Sequence, residues 1–257
     1  MKKPAREESN SVSVNLTENN FQKFMDESLQ VKKRIDLIQS RHLEIPWYPY
    51  DTLGNLEHLK PMSEVVDKLF AGTRRIADIG AADGHLAFCL EALGNSCDIY
   101  DNGPTNYNGL RGAKLLREEL QSKVKIFERD LDSQFDLDGQ YDLIIFLGIL
   151  YHLKNPYYAL ETLSRHTKHL IISTRICRHF RSGSPDVSDI AAAYLLGPDE
   201  SNGDATNYWI FTVSALRRIF DRTGWKILAE RQLGDVTASN PQDDARDERY
   251  FAILERR

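Results

Sequence analysis

The chain has 257 residues, of which 41% are hydrophobic and 28% charged, a composition typical of one globular domain with appendages. Its 33 Lys and Arg residues are outnumbered by 38 Asp and Glu, so the formal net charge is -5. This balance excludes a global basic field for a phosphate backbone, and a nucleic-acid partner would need a local patch. The three cysteines form no CxxC pair, which argues against a disulfide framework and favours a reducing, cytoplasmic setting.

The N-terminal 17 residues are rich in Ser, Asn, Glu and Lys and predict a flexible arm, because they contain too little apolar material to fold. Basic residues open the chain, but no apolar stretch follows them, so we expect no signal peptide. The longest apolar run, residues 143–151, is far shorter than the roughly 20 residues that cross a bilayer. We therefore predict a protein without a membrane partner.

Residues 18–68 form the next predicted unit. Apolar residues recur at helical spacing from Phe21 to Ile38 and predict one or two helices. The segment from Pro46 to Tyr50 follows, and its prolines exclude a continuous helix while its aromatic rings offer large flat surfaces. Two interpretations stay open for it, a packing anchor and a ligand wall. Residues 18–68 are predicted to be a helical and aromatic cover on a larger domain over residues 69–257.

From residue 74 onward, short apolar runs alternate with helical stretches, which predicts βαβ units and a parallel sheet. The predicted strands are 74–80, 96–101, 123–130, 141–149, 169–176, 225–232 and 250–256. The predicted helices are 85–93, 109–120, a short one near Ser133, and 156–166. A loop without helical periodicity joins the last two runs, so these should pair antiparallel. The fold class is α/β, a Rossmann-like doubly wound seven-stranded sheet with an antiparallel terminal hairpin and an N-terminal helical extension.

A glycine-rich turn follows the first strand and opens a helix, which is where a doubly wound fold binds a nucleotide-like ligand. Gly80 and Gly84 allow ligand atoms to approach the backbone N–H groups of the helix start. The spacing differs from the diphosphate fingerprint, and Asp78 and Asp83 would repel a diphosphate. Asp101 ends the second strand, where a ribose diol would be held. The pattern indicates a cationic, ribose-bearing ligand.

The sequence DIGAADG at 78–84 resembles the first motif of class I S-adenosylmethionine-dependent methyltransferases, in the variant with alanine at the middle glycine. The resemblance covers roughly residues 70–257 and implies S-adenosylmethionine as the cofactor. It places Asp78 and Gly80 near the methionine part, Asp101 on the ribose hydroxyls, and Asp130 with Leu131 at the adenine. The residues implied to bind the cofactor are Asp78, Gly80, Ala81, Gly84, Asp101, Asn102, Asp130, Leu131, Leu147 and Gly148. The alternative is a turn that only packs a helix on the sheet.

Two later segments, residues 147–163 and 207–225, resemble the subfamily that contains the tRNA wobble-uridine carboxymethyltransferases and related small-molecule methyltransferases. Those tRNA enzymes have a longer, more basic N-terminal extension, and an arginine near the C-terminus that binds the extra carboxylate of their donor. The corresponding region here reads DDARDERYF, with Arg246 and Arg249 but no tryptophan. We therefore expect plain S-adenosylmethionine as the donor.

Two residues after the fourth strand are the catalytic candidates. Methyl transfer to a weak nucleophile such as a hydroxyl needs a base, and His152 has a titration range suited to neutral pH. The alternative is that His152 caps the following helix or bonds to the neighbouring loop. Tyr151 beside it would contact the donor or acceptor, or serve as a core aromatic residue.

Acceptor-binding candidates follow the fifth strand, since loops at that end of the sheet shape the acceptor pocket in such folds. Arg175 and Arg178 would clamp a carboxylate or phosphate, or form a solvated charged face. His179 lies in the same cluster, and because Cys177 and His179 supply only two ligands, we predict no metal site.

The long insertion 178–210 is predicted to be a lid over the acceptor, because loops of this length inside a compact domain are usually functional. It ends in Tyr208 and Trp209, whose rings would stack on a planar acceptor or anchor the lid to the core.

Three functions follow from these features. The leading hypothesis is methyl transfer from S-adenosylmethionine to a small-molecule acceptor, at a hydroxyl oxygen. The second is modification of tRNA wobble uridine, for which Lys32, Lys33 and Arg34 are the compact basic cluster. The third is a non-catalytic, cofactor-binding interaction protein. A homodimer is compatible with each of them.

Overall fold

The structure, a computed structural model, describes residues 19–257, and the predicted arm over residues 1–17 lies outside this range. The α-helices are α1 (Asn20–Arg41), α2 (Ser63–Leu69), α3 (His85–Ala92), α4 (Arg111–Leu120), α5 (Pro156–His166) and α6 (Val213–Arg222). Short 3-10 helices cover Gly54–Met62, Leu150–His152 and Asp244–Arg246. The strands are β1 (Arg75–Ile79), β2 (Ser96–Asp101), β3 (Lys125–Glu128), β4 (Leu143–Leu147), β5 (His169–Ile176), β6 (Ala193–Leu195), β7 (Trp209–Phe211), β8 (Trp225–Gly234) and β9 (Glu248–Arg256).

The sheet has the predicted doubly wound topology. Strands β3, β2, β1, β4 and β5 lie side by side in that order and pair in parallel. Strand β9 pairs antiparallel along the whole of β5, and β8 pairs antiparallel with β9. The Rossmann-like sheet with an antiparallel terminal hairpin is therefore confirmed, and the order reverses between β1 and β4, where such sheets bind ligands at the carboxyl ends of their strands.

The predicted seven strands are joined by two that the sequence analysis missed. Strands β6 and β7 form a short antiparallel hairpin inside the predicted lid, and β7 meets β5 where Ile176 pairs with Phe211. Each has three residues, too few for a period-2 pattern to stand out.

The predicted short helix near Ser133 is wrong. Residues 131–134 form turns and bends, and the Asp130 carboxylate accepts the backbone N–H of Asp132 at 2.9 Å. An aspartate that bonds to the backbone two residues on favours a turn over a helix.

Helices cover both faces of the sheet because its strands are apolar on both sides. Ile76 of β1 and Ile145 of β4 pack toward α1, α2, α3 and α4. Ala77 of β1 and Ile144 of β4 point to the opposite face, toward α5 and α6. One hydrophobic core therefore lies on each side of the sheet, and the ends of the strands are available to form the functional site.

The N-terminal extension contains α1, then the aromatic segment, the first 3-10 helix and α2. Asn19 caps α1, since the Asn19 side chain accepts the Gln22 backbone N–H at 2.9 Å. Its apolar stripe, which includes Phe21 and Ile35, is buried against the core that contains α3. In residues 19–257, no helix has both the length and the apolar character needed to cross a membrane.

We expect docking of α1 to contribute measurably to stability. Ile35 is 0% exposed and Leu37, on the same helix, is 62% exposed. Ile35→Ala should lower the free energy of unfolding by about 2–5 kcal/mol, because it leaves a cavity in the core. The matched Leu37→Ala should change it by less than about 0.5 kcal/mol. Urea unfolding of the two variants measures the difference, and equal effects would contradict burial of this face.

Candidate functional site

The turn between β1 and α3 has an unusual backbone. Gly80, Ala82 and Gly84 all have left-handed φ values, 71°, 53° and 80°. A Cβ atom built on Gly80 would overlap Cδ1 of Ile149, so this position requires glycine. Ala82 adopts the left-handed conformation at a cost of about 1 kcal/mol, and its N–H donates to Oδ2 of Asp101 at 2.9 Å.

Asp78 lies at the end of β1 beneath this turn. Its side chain is 6% exposed, and its Oδ2 atom has no hydrogen-bond partner in the described part of the chain. Burial, together with the negative charge of Asp101, raises the pKa of Asp78 to about 7. A buried carboxylate oxygen without a partner is unfavourable, and a cationic ligand group would stabilise it.

Asp101 lies at the end of β2. Its carboxylate accepts the N–H of Asn102 at 2.7 Å and the side-chain amide of Asn106 at 3.0 Å, in addition to the Ala82 N–H. Burial raises the pKa of Asp101, and these donors oppose that shift. The Asn102 side chain donates to the hydroxyl of Thr105 at 3.1 Å. Asp101 is therefore held in one orientation before any ligand arrives.

The remaining residues predicted to bind the cofactor lie at the same edge of the sheet. Asp130 is exposed just past β3, and Leu131 beside it is buried. Leu147 ends β4 and is half-buried, and Gly148, with φ 73°, donates its N–H to the Ser173 carbonyl at 2.9 Å. Ala81 is buried in the turn after β1. The adjacent ends of β3, β2, β1 and β4 thus bring these residues together.

Asp83, the second acidic residue of the turn, forms hydrogen bonds within the protein. It is 1% exposed and accepts the Tyr48 backbone N–H at 2.7 Å and the Asn108 side-chain amide at 2.6 Å. Asn108 also donates to the Pro46 carbonyl at 3.2 Å. The aromatic segment is therefore attached to the glycine-rich turn directly through Asp83 and indirectly through Asn108, which is the contact expected of a packing anchor.

Tyr48 belongs to the aromatic segment that the sequence left open as a packing anchor or a ligand wall, and it was not among the predicted site residues. Its ring packs edge-on against Tyr50 and Tyr107, with centroid distances of 5.3 and 6.0 Å. Burial raises the pKa of Tyr48 to about 12, and the nearby Tyr151 and Asp101 add to the shift. The hydroxyl thus stays protonated beside the end of β2 and the start of the β4 loop. The aromatic cluster was the only signal in the sequence, and it favoured packing.

Tyr151 and His152 lie on the 3-10 helix after β4, with their ring centroids 4.2 Å apart. Tyr151 is buried in a small cluster with Cys177, Leu196 and Ile210 under the lid. Burial lowers the pKa of His152. The negative charge of Asp204 and a hydrogen bond to Thr206 oppose this shift, and the positive charges of Arg249 and Arg175 add to it. His152 is therefore neutral at pH 7 and able to accept a proton.

Arg249 on β9 is the arginine of this cluster. Its Cζ atom lies 5.8 Å from the Tyr151 ring centroid, and its Nε donates to Asp247 at 2.9 Å. Arg246, the other arginine of the DDARDERYF segment, is exposed and pairs with Asp235 at 3.1 Å. From the sequence, Arg249 is expected only as a possible contact to an extra carboxylate on the methyl donor, because the pairing of β9 with β5 depends on the tertiary structure.

The predicted acceptor arginines are engaged within the protein. Arg175 is buried, donates from Nε to Asp247 at 2.5 Å and also donates to the Ser201 hydroxyl in the lid. Arg178 pairs with the fully buried Glu248 through contacts of 3.0 and 3.1 Å. Both guanidinium groups stabilise the attachment of the lid to the terminal hairpin, and their acceptor role stays a prediction.

His179 and Cys177 also face protein groups. The two ring nitrogens of His179 lie 2.6 and 3.3 Å from the carbonyl oxygens of Ser184 and Thr237. Burial raises the pKa of the Cys177 thiol to about 12. Among residues 19–257, no group of three or more His, Cys, Asp or Glu side chains is arranged to hold a metal ion.

Tyr208 and Trp209 end the lid. The Tyr208 backbone N–H donates to the Tyr151 carbonyl at 2.8 Å, and Trp209 Nε1 donates to the Lys154 carbonyl at 3.3 Å. These bonds fasten the lid beside the β4 loop. Asn207, the preceding residue, is buried, and its Oδ1 atom has no partner in the described residues.

A family model described as a methyltransferase domain matches residues 55–230, which is more than half of the chain. The chain belongs to this family. The acidic, left-handed turn and the unpartnered Asp78 oxygen fit the sulfonium and ammonium groups of S-adenosylmethionine. The protein is an S-adenosylmethionine-dependent methyltransferase, and this conclusion agrees with the sequence resemblance.

Solved structures share the fold. The N-terminal domain of EvdMO1, crystallised with SAH bound and also in the presence of SAH and D-fucose, is 18% identical, with a TM-score of 0.57 over 89% of this chain and 96% of that one. An S-adenosylmethionine dependent methyltransferase from Mesorhizobium loti is 16% identical, with a TM-score of 0.55 over 72% and 92%. The PH0226 protein from Pyrococcus horikoshii is 14% identical, with a TM-score of 0.53 over 79% and 90%. No curated protein sequence matches the chain significantly.

The raised pKa of Asp78 predicts a pH-dependent stability of the cofactor-free protein. Its pKa lies near 7 when folded against an ordinary 3.8, so its contribution to stability is lost as the pH rises between these values. Asp78→Asn should melt at a higher temperature than the native chain at pH 8, and the difference should shrink at pH 5. Thermal unfolding at both values measures this, with the exposed Asp26→Asn as control. A variant less stable than the native chain at pH 8 would contradict an unpartnered carboxylate.

Proposed function

We propose that the protein transfers the methyl group of S-adenosylmethionine to a hydroxyl oxygen of a small-molecule acceptor, with His152 as the general base. The observation that supports this most directly is the position of His152, a partly buried histidine just after β4 whose pKa is lowered by burial. A neutral imidazole is the group required to remove a hydroxyl proton near pH 7. A strongly nucleophilic acceptor would not need a general base.

Several residues are proposed to hold the cofactor. Asp78, with its unpartnered Oδ2 atom, would face the positive charge, and Asp101 would accept from the ribose hydroxyls. Leu131 and the exposed Asp130 would border the adenine. When bound, S-adenosylmethionine supplies a methyl group on a positively charged sulfur. The chain itself orients the reactants and accepts one proton at His152.

The acceptor is proposed to lie among Tyr48, Tyr151, His152 and Arg249. Tyr48 comes from the N-terminal cover and Arg249 from the terminal hairpin, so segments on two sides limit the size of what can enter. Tyrosine hydroxyls and a guanidinium suit a polar molecule rich in oxygen. A sugar, such as the D-fucose present with the N-terminal domain of EvdMO1, is an example of this class.

The charges on α1 favour a small acceptor over tRNA. Lys32 belongs to the compact basic cluster, but its Nζ atom lies 3.1 Å from Asp36 on the same helix. Arg178 is paired with Glu248 and Arg246 with Asp235. These ion pairs partly neutralise the cations involved, and the net charge of -5 also disfavours binding to a phosphate backbone.

Cofactor binding is tested by calorimetric titration with S-adenosylmethionine. Asp101→Ala should weaken binding by about tenfold to a hundredfold, because a charged hydrogen bond of about 1.5–3 kcal/mol is lost. Asp101→Asn separates the effect of charge from that of shape, and Asp26→Ala on the exposed face of α1 is the control. Unchanged affinity in Asp101→Ala would remove Asp101 from the cofactor site.

The acceptor and the base are tested with methyl-labelled S-adenosylmethionine. Label should enter a small-molecule extract and not bulk tRNA, and His152→Gln should reduce the initial rate by about a hundredfold or more. The native rate should fall as the pH drops through the lowered pKa of His152, and the variant should lose this dependence. Labelling of tRNA alone would reject the small acceptor. Labelling of neither, with the cofactor still bound, would favour the non-catalytic alternative.

A further inference from the structure

His152 is held by a turn of the lid. Its Nδ1 atom lies 3.0 Å from the hydroxyl oxygen of Thr206 and 3.2 Å from the Thr206 carbonyl oxygen. The Thr206 hydroxyl in turn donates to Oδ1 of Asp204 at 2.6 Å, and the Thr206 N–H donates to the same oxygen at 2.9 Å. A chain of hydrogen bonds therefore runs from His152 through Thr206 to Asp204.

The chemistry of these groups fixes where the protons lie. A carboxylate only accepts, so the single proton of the Thr206 hydroxyl points to Asp204. The lone pairs of the hydroxyl and the Thr206 carbonyl both face Nδ1 of His152, and both are acceptors. Nδ1 must then carry the proton. In the neutral imidazole, Nε2 is left with a free lone pair.

Nε2, the other ring nitrogen of His152, is available to accept a proton. Within residues 19–257, no hydrogen bond is made to Nε2 of His152, and the side chain is partly exposed. The charged groups near the ring are Asp204 in the lid, Arg175 on β5 and Arg249 on β9. The two arginines disfavour the doubly protonated ring, and Asp204 partly offsets them.

We propose that Thr206 and Asp204 are positioning residues that hold His152 in the Nδ1-protonated tautomer, so that Nε2 is the basic atom of the site. The inference rests on the proposed function of His152 as the base. It adds that the lid, and not only the loop after β4, holds this base in position. The acceptor hydroxyl proton would pass to Nε2, and Nδ1–H would stay with Thr206.

Further hydrogen bonds made by residues 204–208 of the lid support this arrangement. Asn207, the next residue, donates its backbone N–H to the Asp204 carbonyl at 3.0 Å, and Tyr208 donates to the carbonyl of Tyr151 at 2.8 Å. The lid therefore contacts both neighbours, His152 through Thr206 and Tyr151 through Tyr208, within residues 204–208. The same short segment fastens the lid and orients the base.

A second turn in the chain provides a matched control. Asp235 and Thr237 have the same spacing as Asp204 and Thr206, and the Thr237 hydroxyl and N–H donate to Oδ1 of Asp235 at 2.7 and 3.1 Å. No ring nitrogen contacts the Thr237 hydroxyl among the described residues. Thr237→Val thus removes the same local hydrogen bond without touching His152.

The tautomer is measured on the full chain with ¹⁵N-labelled histidine by nuclear magnetic resonance, without any acceptor. Above the pKa of His152, the native protein should show a protonated Nδ1 and an unprotonated Nε2. Thr206→Val should lose the single tautomer, Thr206→Ser should keep it, and Thr237→Val should leave it unchanged. A native His152 protonated at Nε2, or a Thr206→Val spectrum identical to the native one, would overturn the proposal.

A second measurement separates positioning from folding. Thr206→Val and Asp204→Asn should bind S-adenosylmethionine with native affinity by calorimetry, yet transfer label to the small-molecule extract about tenfold more slowly. Asp204→Asn should also lower the pKa of His152, since a nearby negative charge is removed. Native rates in both variants would overturn the positioning role. Failure of the native chain to bind the cofactor would instead refute the proposed function and leave the tautomer result standing.

Discussion

The left-handed turn between β1 and α3 is the constraint on which the site depends. Gly80, Ala82 and Gly84 all have positive φ, so the chain reverses its direction within a few residues. As a result, the acidic side chains and the backbone N–H groups of the turn point in different directions. Asp78 remains buried below the turn, the Ala82 N–H reaches Asp101, and Asp83 faces the N-terminal cover. Asp78, Asp101 and the N-terminal cover are therefore all positioned by one piece of backbone.

Environment, more than residue type, gives each charged group its role. Asp78 and Asp83 belong to the same turn and are both buried, but Asp83 accepts two hydrogen bonds while Asp78 keeps an unpartnered oxygen and a pKa near 7. Arg178 and Arg249 lie close to the same hairpin, but Arg178 is bound by the buried Glu248, whereas Arg249 pairs with the partly exposed Asp247 and lies over Tyr151. A buried charge without a partner is disfavoured in the free protein, which is why it marks a place for a ligand.

The two sides of the site are built differently. The cofactor side uses the ends of adjacent parallel strands, a feature shared by doubly wound sheets. The proposed acceptor side is assembled from the cover, the lid and the terminal hairpin, which contribute Tyr48, Thr206 and Arg249. Tyr48 and Arg249 fall outside residues 55–230, the part that matches the family model.

The sequence by itself determined the parallel strands, the terminal hairpin, the glycine-rich turn and the ends of β1 and β2, because these depend on local periodicity and backbone freedom. It missed β6 and β7, which have three residues each, and it placed a helix near Ser133 where the Asp130 side chain forms a turn. Only the tertiary structure decided which arginines are paired internally, that Tyr48 lies near Tyr151 and Asp101, and that Thr206 contacts His152 from 54 residues away. Such contacts depend on how distant segments pack, and no local pattern encodes them.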